Sequence, residues 1–193
     1  MERIVLATGN KGKIREFEQA FSHMNIICVP VKDIVDVPEP EETGTTFMEN
    51  AILKAKYYSE KTGLPCLADD SGLTVDALDG APGVYSARYA GVHGDDEANN
   101  EKLIRELQGK SDRTAHYVCA LALVHPDGTS VMAEASCDGE IQDTPVGTNG
   151  FGYDPYFFVP QFGKTMAELD IDTKETISHR GKALQELVAK VNK

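Results

Sequence analysis

The sequence predicts an α/β fold, and patterns near the N-terminus carry this prediction. Residues 4–7 form a short, continuous apolar run that ends at a Thr-Gly-Asn turn, as a buried strand does. The following segment indicates an amphipathic helix, because apolar side chains recur at spacings of three and four: Ile14, Phe17, Phe21 and Met24. Residues 26–30 are apolar again, so the chain opens as strand, helix, strand.

The next segments continue this alternation. Residues 33–45 combine acidic residues with prolines and are expected to form an exposed loop. A second helix is predicted over residues 46–62, because Gly63 before Pro65 is a good stop signal and apolar positions line one side. Residues 64–68 predict a third strand, which carries Asp69-Asp70-Ser71-Gly72 at its end.

The second half of the chain predicts further helices and a hairpin. Residues 95–107 indicate a helix, and residues 117–124 and 130–136 flank Pro126-Asp127-Gly128, which predicts a hairpin. Residues 156–159 suggest another strand. The apolar stripe of a terminal helix comprises Ala183, Leu184, Leu187, Val188 and Val191. We find no internal repeat and no linker, so residues 1–193 are expected to form a single domain.

Composition narrows the possible functions. The 193 residues include 41% apolar residues, enough for a full core, and the net charge of -12 repels a nucleic-acid backbone. A few lysines and a divalent metal ion can still bind a small phosphate ester. The cysteines are widely spaced and predict free thiols rather than a zinc site. With neither a signal peptide nor a membrane-length segment in the sequence, a cytoplasmic protein is expected.

The turn after the first predicted strand is a candidate phosphate site. The segment Thr8-Gly9-Asn10-Lys11-Gly12-Lys13 opens a helix, where free backbone N–H groups and lysine side chains favour an anion. It lacks the spacing of a Walker A loop. An ordinary strand-helix turn with solvated lysines is the alternative interpretation.

Carboxylates form a candidate metal site. Strand side chains alternate, so we expect one of Asp69 and Asp70 to point into a cleft, and we choose Asp70. A carboxylate there suits magnesium and a water molecule. Glu41-Glu42 in the acidic loop can supply a second oxygen ligand. A turn aspartate and a solvated acidic surface are the alternatives.

Two later segments are candidates for binding a base. Phe151-Gly152-Tyr153-Asp154-Pro155 places aromatic rings among glycines, where a ring face can stack on a base, although the rings could equally cover the core. Ser178-His179-Arg180 begins the last predicted helix, with Lys174 nearby, and offers donors to a keto oxygen. Because cations have no dipole advantage at a helix N-terminus, an anionic or acceptor-rich ligand is expected to compensate, and solvated residues are the alternative.

Taken together, six segments resemble the inosine triphosphate pyrophosphatase family, also called dITP/XTP pyrophosphatases. The resemblance spans almost the full chain in the family's order, without a departure at a motif position. The segments are Thr8-Gly9-Asn10-x-x-Lys13, Glu41-Glu42-Thr43-Gly44, Ala68-Asp69-Asp70-Ser71-Gly72-Leu73, Gly80-Ala81-Pro82-Gly83, Phe151-Gly152-Tyr153-Asp154-Pro155 and Ser178-His179-Arg180.

The resemblance implies roles for these residues. Residues 8–13 would bind the triphosphate, Glu41 and Asp70 would hold Mg²⁺, and Asp70 would also accept a proton. Ser71 would lie beside the substrate. The base pocket would comprise Phe151, Gly152, Tyr153, Asp154, Lys174, His179 and Arg180.

The resemblance also implies a fold, an assembly and an activity. The fold would be a long, mixed, twisted sheet flanked by helices, with two lobes around a central active-site cleft, usually as a homodimer. The expected activity releases pyrophosphate from ITP, dITP or XTP, which removes deaminated purine nucleotides. Two alternatives remain: a related pyrophosphatase of the septum-inhibition type that acts on modified pyrimidine nucleotides, and a nucleotide-binding sensor without turnover.

Overall fold

The computed structural model describes residues 1–174 and 176–193 and confirms the α/β class. Its strands are β1 (Glu2–Leu6), β2 (Ile26–Pro30), β3 (Cys66–Val75), β4 (Thr114–Val124), β5 (Ser130–Ile141), β6 (Phe157–Val159) and β7 (Lys164–Thr165). Its α-helices are α1 (Lys11–Ala20), α2 (Phe47–Thr62), α3 (Asp96–Leu107), α4 (Ile171–Ile177) and α5 (His179–Val191). Among the described residues, no helix is both long enough and apolar enough to cross a membrane.

The strands form one mixed sheet in the order β2-β1-β3-β4-β5-β6-β7. Strand β1 pairs in parallel with β2 and β3, with Val5 opposite both Val29 and Cys66. At the other end of the order, β5 pairs antiparallel with β6, and β6 pairs antiparallel with β7. The predicted mixed sheet is therefore confirmed.

The chain folds into two compact units. The first unit comprises Met1–Asp70, Cys119–Ala135 and Lys182–Lys193, and the second comprises Ser71–Val118 and Ser136–Gly181. The main core of the first unit includes Ile4, Leu6, Phe17, Phe21, Leu67, Leu121 and Leu187. The core of the second unit includes Leu73, Leu103, Leu107, Ile141, Phe157, Met166 and Leu169. Each unit thus buries its own apolar side chains, which is the main source of its stability.

The predicted limits of the second helix are confirmed by its caps. The side chain of Thr46 accepts a hydrogen bond from the backbone N–H of Glu49, which satisfies one of the free donors at the start of α2. At the other end, Gly63 has φ +68°, the left-handed conformation that glycine adopts without a steric cost. The first helix is shorter than its apolar spacing implied, because α1 ends at Ala20 and Phe21 and Met24 follow it.

The third strand differs from its prediction. It does not end at residue 68 but continues to Val75, so Asp69 and Asp70 lie inside β3 rather than at its end. The strand was predicted too short because the polar residues 69–72 interrupt its apolar pattern. The strand continues because Leu73 and Val75 return to the core, where both are fully buried. The hairpin of β4 and β5 is confirmed, and both strands are longer than predicted.

Candidate active site

The turn after β1 forms the start of α1 as the sequence predicted. Asn10 caps the helix, since its side-chain oxygen accepts a hydrogen bond of 3.1 Å from the backbone N–H of Lys13. The backbone N–H of Asn10 in turn donates to Oγ1 of Thr8 over 3.1 Å. Lys11 and Gly12 are exposed in the first turn, which contains no acidic residue. An exposed helix start of this kind attracts anions.

A lysine that the sequence analysis did not select stands beside this turn. A Cβ atom built on Gly9 would lie 3.2 Å from Nζ of Lys32, so the ammonium group lies close to the backbone of the turn. Lys32 is exposed and follows β2, the neighbour of β1 in the sheet. The third lysine adds positive charge at the candidate phosphate site. Its position depends on the parallel pairing of β1 and β2, which no local motif reveals.

Asp69 is a buried carboxylate that is held by two lysines. Only 3% of its surface is exposed, and its Oδ2 lies 2.8 Å from Nζ of Lys13. Nζ of Lys54 donates to the backbone oxygen of Asp69 and also lies 2.9 Å from Oε1 of Glu42. Lys13, predicted to bind phosphate, is thus also the ion-pair partner of a buried acid.

Asp70 is poorly solvated. Its Oδ2 is buried and has no hydrogen-bond partner among residues 1–174 and 176–193. Burial raises the pKa of Asp70 to about 6, opposed by the positive charge of Lys54 and reinforced by the negative charge of Glu42. A desolvated carboxylate oxygen without a donor is costly unless a cation or a ligand satisfies it. The unsatisfied oxygen of Asp70 therefore suits contact with a cation or a ligand.

The acidic loop is fastened to α2 by Asn50. Oδ1 of Asn50 accepts a hydrogen bond of 2.7 Å from the backbone N–H of Gly44, and a Cβ on Gly44 would lie only 2.6 Å from that oxygen. Glycine is therefore required at this close approach. This hydrogen bond fixes the backbone at Gly44, close in sequence to Glu41 and Glu42. Glu41 is exposed, whereas Glu42 is half-buried through its pairing with Lys54.

These carboxylates suit an open metal site rather than a closed cage. Within the described part of the chain, no three His, Cys, Asp or Glu side chains are grouped so that they could hold a metal ion by themselves. Magnesium usually takes one or two protein carboxylates and completes its shell with waters and substrate phosphates. The unpartnered oxygen of Asp70 and the exposed carboxylate of Glu41 fit that pattern.

In the second unit, Asp154 organises the predicted base-binding segment. Its carboxylate is 4% exposed and accepts three hydrogen bonds from within that unit. The donors are the hydroxyl of Tyr117 at 2.9 Å, the backbone N–H of Phe151 at 3.2 Å and Nζ of Lys174 at 2.6 Å. Three predicted residues, Phe151, Asp154 and Lys174, are thereby brought together.

Phe151 presents an exposed ring on an ordered loop. The residue is 73% exposed, and Nζ of Lys174 lies 5.3 Å from the ring centroid. The adjacent Gly152 is held by α3, because its N–H donates to Oδ2 of Asp96 and its oxygen accepts from Nδ2 of Asn100, both over 2.9 Å. A large exposed apolar ring on a fixed backbone is suited to stacking against a flat ligand.

The remaining predicted residues occupy the same unit. Ser178 caps α5 by accepting a hydrogen bond of 3.0 Å from the N–H of Gly181, and half-buried His179 and Arg180 form the first turn. Tyr153 is buried and its hydroxyl donates to the backbone oxygen of Ser86 over 2.6 Å. Ser71 is half-buried in β3. The structure thus holds Tyr153 chiefly as a core residue.

Several residues of the site were missed by the sequence analysis. Asn50 and Lys54 stand four positions apart on α2, a spacing that places them on one helix face. Two polar residues on one face of a partly buried helix could have been identified from the sequence as candidate site residues. Tyr117 offered no such signal, because an aromatic residue in a strand is ordinary core composition.

Comparison with known proteins places these features in a family. Residues 4–190 match the Ham1 family. The dITP/XTP pyrophosphatase of Listeria monocytogenes is 51% identical over 189 residues, which cover 97% of this chain and 93% of the relative. The HAM1 protein of Coxiella burnetii superposes with a TM-score of 0.95 at 44% identity, over 100% of this chain and 99% of the other. A nucleoside-triphosphatase / dITP/XTP pyrophosphatase from Mycobacterium abscessus superposes with a TM-score of 0.87 at 41% identity, over 98% of this chain and 99% of the other.

Proposed function

The chain belongs to the Ham1 family, and on that premise we propose that it is a nucleoside-triphosphate pyrophosphatase that hydrolyses ITP, dITP and XTP. The products are the nucleoside monophosphate and pyrophosphate. Family membership confirms the resemblance inferred from the motifs. The observation that carries the proposal is the orphaned, poorly solvated carboxylate of Asp70 in the same unit as a lysine-rich helix start.

The first unit carries the groups that the phosphate chemistry requires. Backbone N–H groups at the start of α1, together with Lys11 and Lys13, bind the triphosphate and stabilise the charge that develops on the leaving pyrophosphate. Asp70 accepts a proton from the water that attacks the α-phosphorus, a role supported by its buried carboxylate oxygen, which has no hydrogen-bond partner among the described residues. No covalent nucleophile is needed.

We propose Mg²⁺ as the metal, held by Asp70 and Glu41. When bound there, it would neutralise phosphate charge and complete its shell with water and substrate oxygens. Support for this assignment comes from the carboxylate chemistry and from the unsatisfied oxygen of Asp70. Glu42, the other acid of this loop pair, is not assigned to the metal because it forms an ion pair with Lys54 at 2.9 Å.

The second unit carries the groups that select the base. The exposed ring of Phe151 stacks on the purine, and the donors of Lys174, His179 and Arg180 face its 6-keto edge. Adenine presents an amino group instead, which leaves buried donors unpaired or opposed by another donor. Loss of one charged donor costs about 1.5 to 3 kcal/mol, so Arg180→Ala should reduce the preference for ITP over ATP by roughly ten- to a hundredfold.

One experiment tests reaction type and base preference together. The protein is incubated with Mg²⁺ and, separately, ITP, XTP, ATP, UTP and methylated UTP, and nucleotide and phosphate products are resolved. We expect IMP and pyrophosphate from ITP in one step. An IDP intermediate with orthophosphate contradicts the proposed reaction. Preferred turnover of methylated UTP would indicate the septum-inhibition type, and tight ITP binding without product would indicate a sensor.

We also propose a cytoplasmic homodimer. The cysteines support a reducing compartment, because none of the four, Cys28, Cys66, Cys119 and Cys137, forms a disulfide in the described part of the chain. Assembly rests on the family resemblance alone. Sedimentation equilibrium tests it, and a mass of about 21.0 kDa for the particle, that of one chain, would contradict a dimer.

A further inference from the structure

Tyr117 contacts both groups of predicted base-binding residues in the second unit. Its hydroxyl donates a hydrogen bond of 2.9 Å to Oδ1 of Asp154. Burial, followed by the negative charge of Asp154, raises the pKa of Tyr117 well above its usual value, so the hydroxyl stays protonated and remains a donor. Through this bond Tyr117 fixes the carboxylate that also holds Lys174 and the backbone of Phe151.

The ring of Tyr117 makes a second set of contacts. It stacks on Phe157, with ring centroids 4.4 Å apart and an interplanar angle of 30°. It also stacks on the imidazole of His179, with centroids 5.3 Å apart and an angle of 17°. Phe157 is fully buried, so one stacking partner of the tyrosine is part of the rigid core. Tyr117 therefore packs between the buried Phe157 and the imidazole ring of His179.

We propose that Tyr117 is a positioning residue for base recognition. Its hydroxyl orients Asp154, and thereby Lys174 and Phe151, while its ring orients the imidazole of His179. This inference rests on the proposed function, because it assigns base selection to Lys174 and His179. Tyr117 contacts Asp154, Phe157 and His179 of the second unit, so it should influence the choice of base more than the chemical step.

The two contributions can be separated by substitution. Tyr117→Phe removes the donor and retains both stacking contacts. Asp154 then keeps two of its three donors, so we expect a loss at the lower end of the range for a charge-assisted hydrogen bond, about tenfold in ITP-over-ATP preference. Tyr117→Leu removes the stack as well. An aromatic pair contributes enough for a further loss of about threefold to tenfold.

The matched control is Tyr89→Phe. Tyr89 lies in the same unit, packs against the same core, and its hydroxyl bonds to Glu106 rather than to a predicted base-binding residue. The control removes an equivalent hydroxyl group without touching Asp154 or His179. It should leave the ITP-to-ATP ratio unchanged.

The experiment measures kcat and KM for ITP and ATP in the wild type and the three variants, together with thermal unfolding. We expect KM for ITP to rise in Tyr117→Phe and more in Tyr117→Leu, with kcat and the ATP values nearly constant. A purely structural role would lower the unfolding temperature and reduce activity on both nucleotides alike. That outcome, or an unchanged ratio in Tyr117→Phe, overturns the inference.

Failure of the proposed function is distinguishable from failure of this inference. A wild-type protein that hydrolyses no nucleoside triphosphate contradicts the function itself. A wild type that prefers ITP, with variants that keep the same preference, contradicts only the role of Tyr117. If Tyr117→Leu does not fold, Tyr117→Phe still decides the hydroxyl's contribution, because it retains the ring.

Discussion

Nζ of Lys13 lies 2.8 Å from Oδ2 of Asp69, an ion pair that joins the first turn of α1 to β3. The carboxylate is almost completely buried, whereas the side chain of the lysine is 26% exposed. Lys13 is also proposed to bind the triphosphate. One residue thus has a structural partner and a proposed ligand, and substitutions should separate these roles.

Lys13→Ala should weaken both stability and activity. Removal of the lysine leaves a buried carboxylate without its ammonium partner, which costs about 1 to 3 kcal/mol of unfolding free energy. The same change should lower kcat/KM for ITP and ATP by similar factors, because all triphosphates share the phosphates and uniform losses do not alter a ratio. Urea unfolding and steady-state kinetics measure the two effects.

The double variant Lys13→Ala/Asp69→Asn is the control for this pair. It also removes the negative charge that Lys13 neutralised, so most of the lost stability should return while kcat/KM stays low. Recovery of activity together with stability would show that Lys13 acts only through Asp69. A change in the ITP-to-ATP ratio would mean that Lys13 contributes to base selection.

Asp70→Asn should reduce turnover and increase stability. Loss of a general base or metal ligand lowers kcat by at least about a hundredfold. The folded-state pKa of Asp70 is about 6, raised by burial above its ordinary value of 3.8, so ionisation of this residue opposes folding at higher pH. The neutral amide removes this penalty. Without metal, the variant should therefore unfold at a higher temperature than wild type at pH 8, with a smaller difference at pH 5.

Glu60→Gln provides the comparison for Asp70→Asn. Glu60 is an exposed acid on α2, and its neutralisation should change neither turnover nor the pH dependence of stability. Near-normal turnover in folded Asp70→Asn would remove Asp70 from its catalytic role and make Asp69 the next candidate.

Lys32→Ala tests the lysine that only the structure revealed. Because its ammonium group stands beside Gly9 in the turn proposed to bind phosphate, its loss should raise KM for ITP and ATP equally, by roughly tenfold for one charge-assisted contact. Stability should be unaffected, since the side chain is exposed. Lys56→Ala, an exposed lysine on α2, should leave KM unchanged. Equal KM values for Lys32→Ala and wild type would place Lys32 outside the site.

Local signals made much of the fold predictable. Thr46 and Gly63 mark the ends of α2 because a hydroxyl cap and a left-handed glycine satisfy helix termini through neighbouring residues alone. Strand β3 was misjudged for a related reason. Its polar residues are accommodated by partners far away in sequence, such as Lys13 for Asp69, and sequence periodicity contains no information about such partners.

The candidate site was predictable to a similar degree. Motif residues such as Asp154 and Lys174 do meet, with 2.6 Å between the carboxylate and the ammonium group. The residues that support them were not predictable. Tyr117 resembles any strand aromatic until its hydroxyl is seen on Asp154, and Lys54 resembles a surface lysine until its contacts with Glu42 and Asp69 are known.

His116 on β4 links Asp138 of β5 to Asp76, the residue that follows β3, and is expected to give the second unit a pH-dependent stability. Its Nδ1 lies 2.7 Å from Oδ1 of Asp138, and its Nε2 lies 3.1 Å from Oδ1 of Asp76. The hydrogen bond to Asp138 and the charges of both acids raise the pKa of His116 above 6.5. A raised folded-state pKa means that the stabilisation is fully present below the unfolded pKa and is lost as pH rises through the folded value.

The unfolding free energy of wild type should therefore exceed that of His116→Gln most at about pH 6, and the difference should shrink by pH 9. His23→Gln, at an exposed histidine, should show no such trend. A difference between wild type and His116→Gln that stays constant from pH 6 to pH 9 would mean that the imidazole acts through neutral hydrogen bonds alone.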